Sequence, residues 1–387
     1  MWSNVKRRMV VEKIINNDEY WTVELSEQNN PSEITSEVLV LGDIAPAKQL
    51  GELINQKGPG YPFRNLPEDF FNADIVLFDM ECCLSKRGVP WEPKPVHMRG
   101  DPQSLDIFPF ENQRYVASVA NNHFLDYGAI AAADTIKNLA TRGIACIGAQ
   151  ADGVIKPLVL GTPGGSVAFL SYAPAAHPLG GQEPVNIPQF SLSHAVDEIK
   201  EAKKQADVLV VVLHQGVEYS PHVDRASRKN ARALAQAGAD CVVCHHVHVV
   251  QAIEEFEGSV IFYGIGNFLH DVEEERRPHA AYTLALRMKL SSGKIRRINI
   301  EPFMLDNEFT PRAMGKEKRD ELYGHVVSLS KLLKSRIGTM WSDWNALLVW
   351  TRAQAPSVLG MIQREGPRGT FNYYRKRIKE KIKNKHW

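Results

Sequence analysis

The sequence predicts an α/β fold, a four-layer α/β/β/α sandwich of two mixed sheets, and three observations carry that expectation. Five short apolar, β-branched runs are each followed at once by polar, metal-capable residues. Helical stretches separate these runs, and three hairpin patterns interrupt the alternation. Buried strands alternating with helices argue a sheet whose functional loops gather at strand ends. The hairpins add antiparallel strands, hence two mixed sheets face to face with helices outside.

The elements follow in chain order. The first 35 residues are polar and weakly periodic and read as an irregular arm or a short added element. Glu37-Val38-Leu39-Val40-Leu41, stopped by Gly42-Asp43, reads as a buried strand ending at a loop. The pattern recurs at Ala73–Phe78, Tyr115–Val119, Val208–Leu213 and Asp240–Cys244. Ala129–Thr141 carries Ile130, Ile136 and Leu139 at helical spacing and stops at Gly143. Ser193–Gln205 and Arg225–Gln236 are similar, the second closing at Gly238. Hairpins are expected at Leu158–Tyr172, Val249–Tyr263 and Tyr282–Ile300. Glu317–Lys334 looks helical, and Trp341–Trp350 is a tryptophan-bearing segment too short to span a bilayer. The expected organisation is an arm over 1–35, a main domain over 36–302, a mostly helical extension over 303–365 and a basic amphipathic tail over 366–387.

Composition narrows the class. The chain has 387 residues, 44% hydrophobic and 24% charged, ordinary for a globular protein with a sizeable core. Its net charge of +1 hides an asymmetry: Gly366–Trp387 holds eight Lys/Arg and one acid, leaving 38 basic and 44 acidic residues elsewhere. Such a tail suits an anionic surface, or is simply a solvated terminus. Phe371, Tyr374, Ile378 and Ile382 lie at helical spacing within it, the pattern of a helix lying on anionic lipid. The mildly acidic body argues against nucleic acid. Five cysteines make no disulfide framework and suit reduced core thiols. Basic residues at the N-terminus have no apolar stretch behind them, so neither a signal peptide nor a transmembrane segment is expected. The expected location is cytoplasmic, peripheral at the membrane if the tail engages lipid.

Five strand ends carry the chemistry. They are Gly42-Asp43, Asp79-Met80-Glu81, Asn121-Asn122-His123 with Asp126, His214 to Tyr219, and His245-His246-Val247-His248. Singly, each has a plain explanation, since carboxylates after strands cap helices and Asn-Asn forms turns. Along an extended segment His246 and His248 would point the same way. Together the set supplies the oxygen and imidazole ligands that Mn, Fe or Zn prefer. A structural zinc on Cys241, Cys244, His246 and His248 is the competing reading. It would crowd four ligands into eight residues, and Cys241–Cys244 reads better as a core strand.

These blocks, with Asp126-Tyr127-Gly128, Gly238-Ala239-Asp240 and Tyr263-Gly264-Ile265-Gly266-Asn267-Phe268, resemble the bacterial CapA family of capsule-synthesis proteins linked to poly-γ-glutamate. That family belongs to the calcineurin-like metallophosphatase superfamily. The resemblance runs from about residue 37 to 300. It implies a metallophosphatase-like fold holding two divalent ions. Asp43, Glu81 and His248 would hold one, and Glu81, Asn122, His214 and His246 the other, with Glu81 bridging. It implies His123 as general acid for the leaving group, oriented by Asp126. Asn121, Glu218, Tyr219, His245 and Asn267 would contact substrate or line the rim. The wider superfamily has a His two residues after the first Asp, where this chain has Ala45, and an Asp where it has Glu81. Both departures are shared with CapA-like proteins and leave the first metal short of a protein ligand.

The function so implied is metal-dependent hydrolysis of a phosphoester or polymer bond, linked to capsule or poly-γ-glutamate-type polymer synthesis. The metals would acidify a water and clamp phosphoryl oxygens. The alternative is a non-catalytic component of a polymer synthesis or export complex that binds the anionic polymer or the membrane. A synthase or membrane contact would then run through the basic tail.

Overall fold

A computed structural model describes residues 14–351, apart from residues 18, 26–33, 92, 93, 95, 111, 112, 150–154, 175–184, 186–189 and 272–278. The basic tail over 366–387 lies outside the described residues.

In chain order the elements are β1 (Ile14–Asn16), β2 (Trp21–Glu24), β3 (Ser36–Ile44), α1 (Lys48–Lys57), β4 (Ile75–Met80), β5 (Cys83–Leu84), β6 (Arg99–Gly100), β7 (Arg114–Ser118), α2 (Gly128–Thr141), β8 (Ala145–Ile147), β9 (Leu158–Thr162) and β10 (Gly165–Tyr172). Then follow α3 (Leu192–Lys203), β11 (Val208–His214), α4 (Arg225–Ala237), β12 (Cys241–His245), β13 (Ile253–Phe256), β14 (Ser259–Phe262), β15 (Asn267–Leu269), β16 (Tyr282–Ser291), β17 (Lys294–Leu305), β18 (Pro311–Ala313) and α5 (Lys316–Leu332). A further helical stretch covers 336–351.

Two large mixed sheets result. The first runs β1-β2-β17-β16-β3-β4-β7-β8, with β15 on β3 and β18 on β17. The second runs β13-β14-β12-β11-β10-β9. In the first, β3, β4, β7 and β8 are parallel; in the second, β10, β11, β12 and β14 are parallel. The hairpins expected from the sequence form β9–β10, β13–β14 and β16–β17, all antiparallel.

Three apolar clusters correspond to the three interfaces of a four-layer sandwich. The largest joins inward residues of both sheets, such as Val38, Leu77, Val116, Phe169, Val210 and Val243. A second lies under α2 on the outer face of the first sheet, around Leu39, Val76, Phe78 and Leu139. A third lies under α3 and α4 on the outer face of the second, around Leu170, Ile199, Val211 and Leu234. Side chains alternate between faces along each strand, so continuous apolar runs such as Val208–Leu213 serve two interfaces at once. That is why these strands read as runs rather than as alternating patterns.

Within the first 35 residues, β1 and β2 form a hairpin that extends the first sheet through β2–β17 pairing. Trp21 is fully buried there and meets Tyr323 of α5 edge-on at 5.5 Å. No helix among the described residues is long and apolar enough to cross a membrane. All five cysteines are free thiols, four of them buried.

Candidate metal centre

The site forms where the C-terminal ends of the parallel strands of both sheets meet. Asp43 lies near the end of β3, opposite Asp79 of β4. The register slips between Val40 and Asp43, so β3 carries an extra residue there, and such a bulge re-aims a side chain. Glu81 follows β4 directly. Asn121, Asn122 and His123 follow β7. His214 ends β11 and pairs across to His245, which ends β12.

Close backbone approach builds this corner. A Cβ on Gly42 would sit 2.1 Å from the Gly266 carbonyl oxygen, and Gly266 itself has φ +78°. Only glycine allows β15 to lie against β3 at this point. Past β12 the chain leaves extended geometry: His246 and His248 have φ of +85° and +58°, and Tyr219 +60°. The two histidines therefore converge by a left-handed turn, not by the strand alternation expected from the sequence. Non-glycine residues held in this region are strained by roughly 1–3 kcal/mol each, and such strain clusters at functional sites.

Glu81 is the centre of the arrangement. It is 0% exposed, and neither of its carboxylate oxygens has a hydrogen-bond partner among the described residues. An isolated buried carboxylate is costly, so this geometry demands a cationic partner. Three imidazoles provide one side of that demand. His214 Nε2 lies 3.4 Å from Glu81 Oε1, His248 Nδ1 3.7 Å from Oε2, and His270 Nε2 3.9 Å from Oε2. Two sets of potential ligand atoms share Glu81, each within 4.8 Å of one another: Glu81-His214-His246 and Glu81-His248-His270. A third set joins Asp43, Asp79 and His214. The donor chemistry, carboxylate plus several imidazoles, fits a first-row divalent ion.

The remaining contacts orient these groups. Asn122 Oδ1 is 2.8 Å from His214 Nε2, on the Glu81-His214-His246 side. Asp79 Oδ2 is 3.3 Å from His214 Nδ1, an ion-pair contact on the far side of that ring. Asp43 Oδ1 is 2.6 Å from His245 Nδ1, while its Oδ2 lies 3.3 Å from His248 Nδ1. Asn267 Oδ1 is 2.8 Å from His248 Nδ1.

Charge states follow from burial and pairing. Burial pushes Asp43 and Glu81 up, but facing imidazoles outweigh it and hold both below the usual carboxylate range. Burial pulls His214 down, yet Asp79 and Glu81 carry it up to about 10. Burial, with His214 and His248 nearby, holds His246 well below its ordinary value. Burial and His248 bring His270 down to about 4.

Beside the centre, His123 Nδ1 lies 2.6 Å from Asp126 Oδ2 and 2.9 Å from Lys94 Nζ. Lys94 also donates to Asp126 Oδ1 at 2.6 Å and to the Asn122 carbonyl at 2.7 Å. The Met98 N–H donates to Asp126 Oδ2 at 2.7 Å. Burial lowers Lys94, against the pull of Asp126. Asn121 is turned inward: its amide donates to the Met80 carbonyl, and its Oδ1 accepts from the His123 N–H. Glu218 is exposed, and the half-buried Tyr219 ring lies 5.3 Å from His248.

The structure thus brings Asp43, Glu81, Asn122, His214, His246 and His248 together, with His123 and Asp126 adjacent. It places Asn121 and His245 among buried supporting contacts. Three residues at the site have no role that the sequence assigns. Asp79 stands in its strand-end block, where the resemblance implies a role for Glu81 alone. Lys94 sits in a proline-rich stretch without periodicity. His270 follows the Gly-Ile-Gly-Asn-Phe block by two residues and carries no spacing signal. Cys241 and Cys244 join no potential metal set among the described residues. Cys244 lies in the outer cluster and Cys241 in the inter-sheet core.

Comparison with known proteins finds relatives over most of the chain. The B. subtilis (strain 168) PGA biosynthesis protein CapA is 29% identical over 284 residues, covering 72% of this chain and 73% of that protein. The B. anthracis capsule biosynthesis protein CapA is 30% identical over 245 residues, covering 60% of this chain and 59% of its own length. Among solved structures, a novel phosphatase from Mycoplasma pneumoniae is 12% identical with a TM-score of 0.43, covering 74% of this chain and 98% of that one. A hypothetical protein from Thermus thermophilus is 18% identical with a TM-score of 0.41, covering 69% of this chain and 97% of that one. Residues 37–272, more than half of the chain, match the profile of one family: the protein belongs to the bacterial capsule synthesis protein PGA_cap family.

Proposed function

We propose that the protein is a metal-dependent hydrolase of the phosphoester class, acting on or in service of an anionic capsule-type polymer such as a poly-γ-glutamate. The observation that carries this reading is Glu81, fully buried with both oxygens free of hydrogen bonds between two imidazole sets. Glu81, His214, His246 and Asn122 would hold one ion, and Asp43, Glu81 and His248 the other. Bound divalent ions supply Lewis acidity, polarising a phosphoryl or carbonyl group and acidifying water.

The chain's own groups supply the rest. His123 stands at the edge of the centre with Nδ1 tied to Asp126 and Lys94, which leaves Nε2 to meet a leaving group. A proton on Nε2 passes to the departing alkoxide. Tyr219, whose ring lies 5.3 Å from His248, and the exposed Glu218 beside it in sequence would contact the substrate's outer portion. The experiment is a turnover screen of phosphomonoesters and phosphodiesters in manganese, wild type beside His123→Ala. Loss of about 10²–10⁴ in rate, larger for poor leaving groups, is expected with metal content unchanged. Metal-loaded wild type that turns over no phosphoester would sink the catalytic reading.

A second reading is favoured by a different observation. Helical residues 336–351 bury Gly338, Ser342 and Ala346 and expose Ile337, Met340, Trp341, Trp344 and Leu348 on the other side. Residues 352–387 follow with ten Lys/Arg against two acids. An apolar stripe followed by basic sequence suits an anionic lipid surface. A relative in Mycobacterium tuberculosis, 27% identical over 216 residues that cover 52% of this chain and 57% of that protein, carries the name "probable polyglutamine synthesis accessory protein". In this reading the protein is a non-catalytic component of a synthesis complex held at the membrane. Co-sedimentation with anionic vesicles should fall sharply in Trp341→Ser/Trp344→Ser; equal binding excludes the stripe.

A further inference from the structure

We infer that His270 is a metal ligand, completing with Asp43, Glu81 and His248 a second full set for a first-row divalent ion. The inference rests on the metal-centre reading above and deepens it.

Three features of His270 set it apart from a core histidine. The first is distance. Its Nε2 is 3.9 Å from Glu81 Oε2, too long for a hydrogen bond. His248 Nδ1 lies 3.7 Å from the same oxygen and 3.3 Å from Asp43 Oδ2. Donors each about 2.0–2.2 Å from one ion stand about 3–4 Å apart. His248 and His270 each stand at that spacing from Glu81 Oε2, and the ligand atoms of all three residues lie within 4.8 Å of one another.

The second is orientation. His270 Nδ1 lies 2.9 Å from the Asp271 carbonyl oxygen, so Nδ1 carries the proton and donates it. The lone pair is then on Nε2, the nitrogen facing Glu81. A backbone carbonyl behind one imidazole nitrogen is how proteins aim the other nitrogen at a metal.

The third is rigidity. The Leu269 carbonyl accepts the Ala45 N–H at 2.8 Å, and Leu269 pairs with Ile44 in the β15–β3 ladder. On the other side, the Asp271 carboxylate accepts the Gln49 and Leu50 N–H groups at 3.0 and 2.9 Å, at the start of α1. His270 is therefore clamped between a sheet and a helix start. Ala45, its neighbour just past β3, has no donor atom to offer the ion. The imidazole on this side of Glu81 comes from the end of β15 instead.

The test is manganese titration of the metal-free full chain, comparing wild type with His270→Ala, His270→Gln and His246→Ala. Bound metal is counted by elemental analysis after desalting, and the spin signal is read by electron paramagnetic resonance. Wild type should bind two manganese ions with an exchange-coupled spectrum. Both His270 variants should retain one ion with an uncoupled spectrum, the second binding at least ~100-fold more weakly. His246→Ala should lose the ion on the other side. Two tightly bound, coupled ions in either folded His270 variant would overturn the assignment while leaving the metal centre intact. Wild type that binds no manganese would remove the metal centre and this ligand with it. The Gln variant keeps a buried polar group at the site, so the comparison survives if the Ala variant fails to fold.

Discussion

Replacing Glu81 with Gln removes a charge that both ligand sets share while keeping the side chain's shape. Glu81 is fully buried between His214 and His246 on one side and His248 and His270 on the other. Ligands that bind only the folded state stabilise it by mass action, about 2.7 kcal/mol per site at a hundredfold excess over Kd. Two occupied sites would therefore contribute about 5 kcal/mol. An unfolding entropy of about 2.1 cal/mol/K per residue gives roughly 0.8 kcal/mol/K for 387 residues. Wild type should then melt about 6–7 °C higher in saturating manganese than in chelator. The Gln variant should shift by less than ~1 °C, because an amide is a poor replacement for a shared carboxylate. His246→Ala, which spares the other set, should keep about half the wild-type shift. Differential scanning calorimetry of each protein with and without metal makes the comparison internal, so any change in metal-free stability cancels. A Gln variant with the full wild-type shift would refute the claim that Glu81 bridges two ions.

Other consequences follow from the same geometry. In the metal-free protein His214 titrates at about 10, above its unfolded value of 6.5. Its pairing with Asp79 and Glu81 thus stabilises fully below pH 6.5, and this contribution is lost as pH rises through about 10. The same proton must leave when an ion binds, so manganese loading at about pH 7.5 should release protons. Calorimetric heats that are independent of buffer ionisation enthalpy would contradict this. Lys94→Met should leave metal content unchanged yet lower phosphoester turnover about tenfold and alter its pH profile, because Lys94 touches His123 and no metal set. An unchanged profile would make Lys94 purely structural. Gly42→Ala should cost at least about 1–3 kcal/mol even without metal, because its Cβ would meet the Gly266 oxygen at 2.1 Å. Denaturant unfolding that matches wild type would show that β15 can move away.

Much of the fold is legible in the sequence because buried parallel strands leave a plain signal. Val208–Leu213 and Cys241–Cys244 are continuous apolar runs, since both faces of the sheet they share are covered. Residues directly after such runs, His214 and His245 to His248, stand at the rim by topology alone. What the sequence hides is set by pairings distant in the chain. Trp21 and its hairpin look like a polar arm until β2 pairs with β17, which begins at Lys294. Helix α1 starts on Ala47 with no side-chain cap of its own; its first N–H groups are met by Asp271. His270 and Lys94 carry no periodic or motif signal, because their positions depend on β15 lying on β3 and on an irregular loop reaching back to Asp126. The convergence of His246 and His248 is legible, but its cause is a left-handed turn that local sequence does not reveal.

The central claim is a metal centre that performs hydrolysis, and its most direct test is elemental analysis of the purified protein beside His246→Ala/His248→Ala, paired with phosphoester turnover in manganese. Near-stoichiometric metal in wild type, lost in the variant together with turnover, is the predicted result. Wild-type protein free of bound metal, or turnover that persists in the metal-free variant, would contradict it.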